Sequence, residues 1–491
     1  MSNLNNLIKG EKYEWEMIIG LEVHAQVKSN SKLFSSSSTK FGSLPNTQVS
    51  LVDAAMPGML PVINKYCLEQ AIKSGIGLNA KINNYSVFDR KNYFYADLPQ
   101  GYQISQYKYP IVGEGKVTID FKDGTSKDIR IVRLHLEQDA GKSLHDQNPT
   151  KTFVDLNRSG IALMEIVSEP DIRSPDEAAM YISKIRSILM YLDSCDGNMQ
   201  EGSLRADVNI SVRKPGDDYG TRCEIKNLNS IKFIKQAINY ESRRQIEILE
   251  SGGSIEQNTM LFNTDTGKTR PMRSKEEAHD YRYFPDPDLL PVILENEYIE
   301  KIKNEIPELP DKRKNKYINE LDLSNYDASV LTAEKEVSDY FDDVLKNHKD
   351  LKNAAKIVVN WITSELFSIL NKNEISILES PISADNLGRL VKLILSDKIS
   401  GKIAKDVFEE MFKSKKTPED IVEEKGLIQV TDINEIEKII DQILENNKDK
   451  VLDYKNGKTK LLGFFVGQAM KISKGKANPK ILNKLLTDKL N

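Results

Sequence analysis

Residues 18–27, IIGLEVHAQV, put a carboxylate and an imidazole two positions apart in a run that otherwise reads as a strand. A period of two places Glu22 and His24 on one face and Leu21, Val23 and Ala25 on the other. Two readings stay open at this point: a solvated edge, or half of a metal site. Other runs repeat the pattern. RIVRLHLEQD sets His135, Glu137 and Asp139 opposite Val132, Leu134 and Leu136. LRADVNISVR alternates Arg205, Asp207, Asn209, Ser211 and Arg213 with apolar residues, and TRCEIKN aligns Arg222, Glu224 and Lys226. ALMEIVSEPD holds Glu165 in an apolar run, followed by Glu169 and Asp171.

An antiparallel sheet packed on one side shows such alternation with water on the other, and for any single strand that is the better reading. The collection points elsewhere. Carboxylates gathered on one sheet repel one another unless a cation holds them. Mg²⁺ takes about six oxygens, several of them from water or phosphate, so a few carboxylates plus a nucleotide would satisfy it. His24 is an unusual ligand for Mg²⁺ and an ordinary one for Mn²⁺ or Zn²⁺, which leaves its role open.

A nucleotide site of the phosphate-loop type is excluded. GKS at 141–143 and GKT at 267–269 and 457–459 lack the earlier glycine; Leu136, Phe262 and Leu452 stand there. No Cys/His nucleophile constellation is visible either. RKNYFYADLPQGYQISQYKYP, residues 90–110, is rich in tyrosine around Lys91, Asp97 and Gln100. It suits a core edge and a stacking platform for adenine or an unpaired tRNA end about equally. Residues 448–491 carry eleven Lys against Asp449, Asp453 and Asp488, interleaved with apolar positions of short helices. That is a folded basic surface suited to phosphate backbones, with salt-sensitive binding.

The elements that must position these side chains change character along the chain. At 491 residues, two to four domains are expected. Residues 1–294 are strand-rich. They are interrupted by a helix with Ser174 as N-cap and Pro175 in its first turn, and by a second helix closed at Gly252 and Gly253. Residues 295–410 turn to helical period, punctuated by Pro307 and Pro310, and 411–491 form a small helical tail. The expected class is α+β: a mixed or antiparallel sheet domain, then a helical domain, then the tail. A net charge of −4 is too small to point to any partner, and three cysteines without paired spacing suggest a reducing cytosol. The polar start MSNLNNLIKGEKYEWE and the short apolar run LLGFFVGQAM argue against a signal core or a membrane span.

Taken together, IGLEVHAQV, RKNYFYADLPQGYQISQY, RLHLEQDAGK, VDLNRSGIALMEIVSEPD, EGSLRADVNISVR, EIKNLNS and DYRYFPDPDLLP resemble, in this order, the B-subunit family of aspartyl/glutamyl-tRNA amidotransferases (GatB). The ending LLGFFVGQAMKISKGKANPKILNKLL resembles that family's tail, so the likeness spans nearly the whole chain. It implies a cradle-shaped catalytic domain followed by two helical domains that bind tRNA. It implies work alongside an amidase (A) subunit, which frees ammonia from glutamine, and a small (C) subunit, in a bacterial cytoplasm. It also implies activation of the side-chain carboxylate of Glu-tRNA(Gln) or Asp-tRNA(Asn) by ATP and Mg²⁺. Its metal and kinase positions fall on Glu22, His24 and Glu137, with Lys91 as a fourth catalytic group. Tyr93, Asp139, Glu165, Asp207, Asn209 and Lys226 lie in matching motifs and are the expected substrate and nucleotide pocket.

One departure stands out. Many family members carry a zinc site of four cysteines, and those positions here are Ser35, Ser37, Ser50 and Asp53. No structural zinc is expected, and packing is expected to hold the loop. Two rivals to the family reading remain. One is a tRNA-binding scaffold with its ATP chemistry elsewhere, against which the acidic sheet face argues. The other is a free-standing ATP-dependent amide ligase fed by free ammonia.

Overall fold

The structure is a computed structural model and describes residues 7–121, 123–145, 148–274, 281–346, 348–427, 433–473 and 477–490. Two compact units meet in sequence between Lys312 and Arg313.

The first unit is built on a nine-stranded sheet. Its strands are β1 (Leu7–Lys9), β2 (Glu14–Gln26), β3 (Gly115–Asp120), β4 (Ser126–Gln138), β5 (Ala162–Ser168), β6 (Leu204–Arg213), β7 (Cys223–Lys226), β8 (Asn258–Asn263) and β9 (Lys268–Ser274). The order across the sheet is β9-β8-β7-β6-β2-β5-β4-β3, with β1 paired to one end of β2. All pairs are antiparallel except β7 and β8, which a helix joins as a crossover. The two long strands β2 and β4 flank β5, so sequence segments more than a hundred residues apart lie side by side.

The alternation read from the sequence now has its cause. Leu21, Val23, Ala25, Leu134, Leu136, Met164, Ile166, Val208 and Ile210 all point to one side and are buried in a single core. Three helices cover that side: α1 (Lys65–Gly77), α2 (Pro175–Tyr191) and α3 (Ile231–Glu250). Each such aliphatic side chain contributes about 1.5–3 kcal/mol on burial, so a register slip of one residue is strongly disfavoured. The helix starts are set locally: the side chains of Asn64, Ser174 and Ser230 each accept an amide of the first turn, and Pro175 occupies the first turn of α2. A smaller sheet of Asp89–Asn92, Tyr102–Ser105 and Phe284–Pro285 carries the tyrosine-rich stretch.

The loop with the four replaced cysteines is held by more than packing, contrary to the expectation. Asp53 is buried and accepts from Lys32 Nζ at 3.0 Å, Ser35 Oγ at 3.1 Å and the Ser50 amide at 2.9 Å. Lys32 is fully buried, and burial pushes its pKa down although Asp53 opposes the shift. Gly160, at φ +83°, abuts this centre; a Cβ there would lie 2.6 Å from Asp53 Oδ1. Ser37 takes part through its carbonyl, which accepts the Lys32 amide.

The second unit is helical. One core gathers residues between Tyr317 and Val422, and another gathers Ile436, Ile440, Phe465, Leu482 and Leu486 with their neighbours. Around Trp361 a π-helical segment, Trp361–Leu366, runs between the α-helices Leu351–Asn360 and Phe367–Lys372. Among the described residues, no helix is long and apolar enough to cross a membrane.

Candidate active site

The polar side of the sheet is where the four strand motifs meet. Register aligns Arg205, His24, Glu165 and His135 in one row across β6, β2, β5 and β4. His24 Nε2 lies 3.3 Å from Glu165 Oε2, and His135 Nε2 lies 3.5 Å from both Glu165 Oε2 and Glu137 Oε2. Ser105, from the smaller sheet, donates to Glu137 at 3.0 Å. His24, Glu137 and Glu165 can each turn one ligand atom toward a common point, all within 4.8 Å of one another.

A second group forms one row along. Glu22, Asp207 and Glu224 meet the same criterion. Asn209 donates to Glu22 at 2.9 Å, and Lys226 bridges Asp207 at 2.7 Å and Glu224 at 2.9 Å. Glu22, read from the sequence beside His24 and Glu137, thus sits with a different set of carboxylates.

Charge on this face is finely opposed. Burial raises the Glu22 pKa, and Glu165 and Glu224 add to the rise. Burial works against the His135 cation, but Glu165 and Glu137 outweigh it and hold the pKa up at about 9. Glu165 is held well below the ordinary carboxylate range: burial opposes this, and His135 and His24 overcome it. Lys91 is raised too, since Glu137 and Glu165 outweigh its desolvation. Asp139 stays low because Arg205 at 3.1 Å and Arg158 at 3.6 Å outweigh its burial, while Gln26 donates to it.

The aromatic stretch divides. Lys91 Nζ lies 5.0 Å from the Tyr281 ring centre and 5.9 Å from that of Tyr93, whose hydroxyl donates to Gln103. Tyr107 and Tyr283 stack at 4.4 Å. Phe94 and Tyr95 are exposed, at 86% and 69%, so these two do not fill a core edge.

The donor chemistry fits a hard divalent cation. Five of the six groups in the two sets are carboxylates and the sixth is His24. His24 Nδ1 is buried with no hydrogen-bond partner among the described residues, which fits an imidazole with one nitrogen committed elsewhere. His135 and Glu224, absent from the expected pocket, share its strand faces, so the period of two already carried their signal. Tyr281 and Tyr283 come from a distant segment, and only the tertiary fold brings them in.

The GatB/GatE catalytic domain family matches residues 17–300, and the GatB domain family matches residues 339–490. The aspartyl/glutamyl-tRNA(Asn/Gln) amidotransferase B subunit of Pelagibacter ubique is 61% identical over 99% of both chains. The protein of the same name from Rhodopseudomonas palustris strain BisB5 is 60% identical over 99% of this chain and 98% of its own. That from Rickettsia felis is 59% identical over 98% of this chain and 99% of its own.

Proposed function

Since the chain belongs to the GatB family of aspartyl/glutamyl-tRNA(Asn/Gln) amidotransferase B subunits, we propose that ATP activates a tRNA-borne carboxylate on the polar face of its sheet. The chain is part of a tRNA-dependent amidotransferase, a carbon–nitrogen ligase serving protein synthesis. Its substrates are Glu-tRNA(Gln), Asp-tRNA(Asn) or both. Ammonia comes from the amidase (A) subunit, and the small (C) subunit completes the assembly.

A carboxylate does not condense with ammonia at neutral pH. One of its oxygens first attacks the γ-phosphorus of ATP and ADP leaves, giving an acyl phosphate. Ammonia then attacks the carbonyl carbon, phosphate departs with that oxygen, and the amide nitrogen loses a proton. His24, Glu137 and Glu165 would hold one Mg²⁺, and Glu22, Asp207 and Glu224 a second. Bound Mg²⁺ supplies charge shielding between two anions that must approach. Asn209 and Lys226 orient the second set of carboxylates. Lys91, kept charged by Glu137, is placed to meet the transferred phosphoryl group. Tyr93, over Lys91, helps keep water from the acyl phosphate. Asp139 steadies Arg205 at the end of the row.

The observation that carries this reading is the convergence of His24, Glu137 and Glu165 from three neighbouring strands onto one buried point. The test is Glu137→Gln in the assembled complex. Amidation with glutamine or free ammonia should be lost while glutaminase activity and assembly persist. Near-normal amidation overturns the assignment.

A further inference from the structure

Beside Glu22 a slot opens on the polar face of the sheet. β5 parts from β2 after Val167, where its register with β4 shifts. The Leu21 amide is then bonded by Ser168 Oγ at 2.9 Å, and main-chain pairing to β2 resumes only at Ile19 with Ile172. On this edge Gly20 therefore has no strand partner, while on the other it pairs with Asn209 of β6. On the other flank, the turn at 219–222 presses onto β6: a Cβ on Gly220 would lie 2.4 Å from the Val212 carbonyl oxygen. Tyr219 stands up from this turn with Arg213 over its ring at 5.1 Å, and is 58% exposed.

Between these flanks is a cavity of about 230 Å³ with Gly20 at its floor, lined by Ile18, Val167, Pro170, Tyr219 and Arg222. Gly20 is not required by the backbone, since its φ is not positive. Nor is it required by packing, since a Cβ there would meet its nearest atom at 3.7 Å, an ordinary contact. A glycine inside a strand weakens it, and where neither strain nor crowding demands one, close approach of a ligand is the remaining physical reason. The cavity joins a second of about 150 Å³ through Glu22, Asn209 and Arg222, and that one runs on to Glu224 and Thr259. The groove is thus apolar at one end and charged at the other, the polarity of a nucleoside triphosphate.

Resting on the activation chemistry above, we propose that the slot over Gly20 receives the purine base of ATP, with the triphosphate running toward Glu22. Gly20 and Tyr219 then determine nucleotide affinity without touching the reacting atoms.

The test is Gly20→Val in the complex with the amidase and small subunits. Valine suits a strand, so the thermal midpoint should not fall. Equilibrium binding of Mg–ATP should weaken at least about tenfold, while Mg–tripolyphosphate, which has no base, should bind within about twofold of the parent. KM for misacylated tRNA should not change. Tyr219→Ala, in an exposed turn, should weaken ATP several-fold with the same selectivity. Unchanged ATP affinity in both variants overturns the proposal. So does an equal loss of tripolyphosphate, which places the phosphates in the slot. So does a rise confined to the tRNA KM, which assigns the slot to the terminal adenosine of tRNA. If the parent complex binds neither ATP nor tripolyphosphate, the activation reading falls first and takes the slot with it.

Discussion

His24 and Glu165 are directly paired residues of neighbouring strands, and their side chains meet at 3.3 Å on the polar face of the sheet. Glu165 also contacts His135 at 3.5 Å, so one carboxylate holds two imidazoles. Replacing it by an amide of the same shape removes the charge and keeps the packing.

Glu165→Gln should therefore lower amidation by at least about a hundredfold, comparable to loss of one preorganised electrostatic group. Mn²⁺ binding, followed by electron paramagnetic resonance, should weaken in parallel, while the glutaminase of the complex stays within about twofold of the parent. Full Mn²⁺ binding in the variant would remove Glu165 from the ligand set.

Asp53 is the only charge within hydrogen-bonding reach of the buried Lys32 ammonium among the described residues. Asp53→Ala should destabilise the first unit by about 3–5 kcal/mol, because it leaves an unpaired buried charge. The double change Lys32→Met with Asp53→Leu should recover most of that loss. Denaturant unfolding reads both. Elemental analysis of the purified protein should find less than stoichiometric zinc, since serines and one aspartate occupy the thiolate positions.

Glu241 on α3 is fully buried and accepts from Arg244 at 2.7 and 2.9 Å, Gln245 at 2.9 Å and Thr269 at 2.7 Å. Burial opposes its charge, but these donors prevail and depress its pKa. A depressed carboxylate stabilises the fold above its unfolded pKa, and that contribution is lost as pH falls through the folded one. Glu241→Gln should thus cost about 1.5–3 kcal/mol at pH 7, with the gap to the parent closing in acid. A gap independent of pH would show that the charge of Glu241 contributes nothing.

In the tail, Lys489 pairs with Asp441 at 2.6 Å, Lys458 with Asp453 at 3.1 Å, and Lys450 lies over the Phe464 ring. Lys448, Lys455, Lys460, Lys471 and Lys484 make no ion pair among the described residues; Lys474 and Lys476 lie outside those residues. Truncation after Leu427 should raise KM for tRNA and flatten its dependence on salt, with kcat at saturating tRNA retained. Equal tRNA affinity and an equal salt slope would make the basic end a solvated surface only.

A few neighbouring residues decide everything that could be read from the chain alone. The period of two put Glu22 and His24, or His135, Glu137 and Asp139, on one face, because successive side chains of any strand must alternate. Ser174 and Pro175 marked the start of α2, because orphan amides in the first turn need an acceptor and Pro costs nothing there. Other features were settled by tertiary structure alone. Glu165 stands between His24 and His135 because β5 inserts between strands over a hundred residues apart in sequence, in the register that buries Met164 and Ile166. Register sets Glu22 opposite Val167 and Asp207 but Glu137 opposite Leu163, which pairs with Gln26, so Glu22 meets Asp207 and Glu224 instead. The gap beside Gly20 exists only because β5 parts from β2 after Val167, and Lys32 meets Asp53 only because the loop brings together residues 21 apart in the chain. Alternation is a property of the local backbone. Register and strand order are chosen by the burial of a shared apolar face and by hydrogen bonds between distant segments, for which no short window of sequence carries a signal.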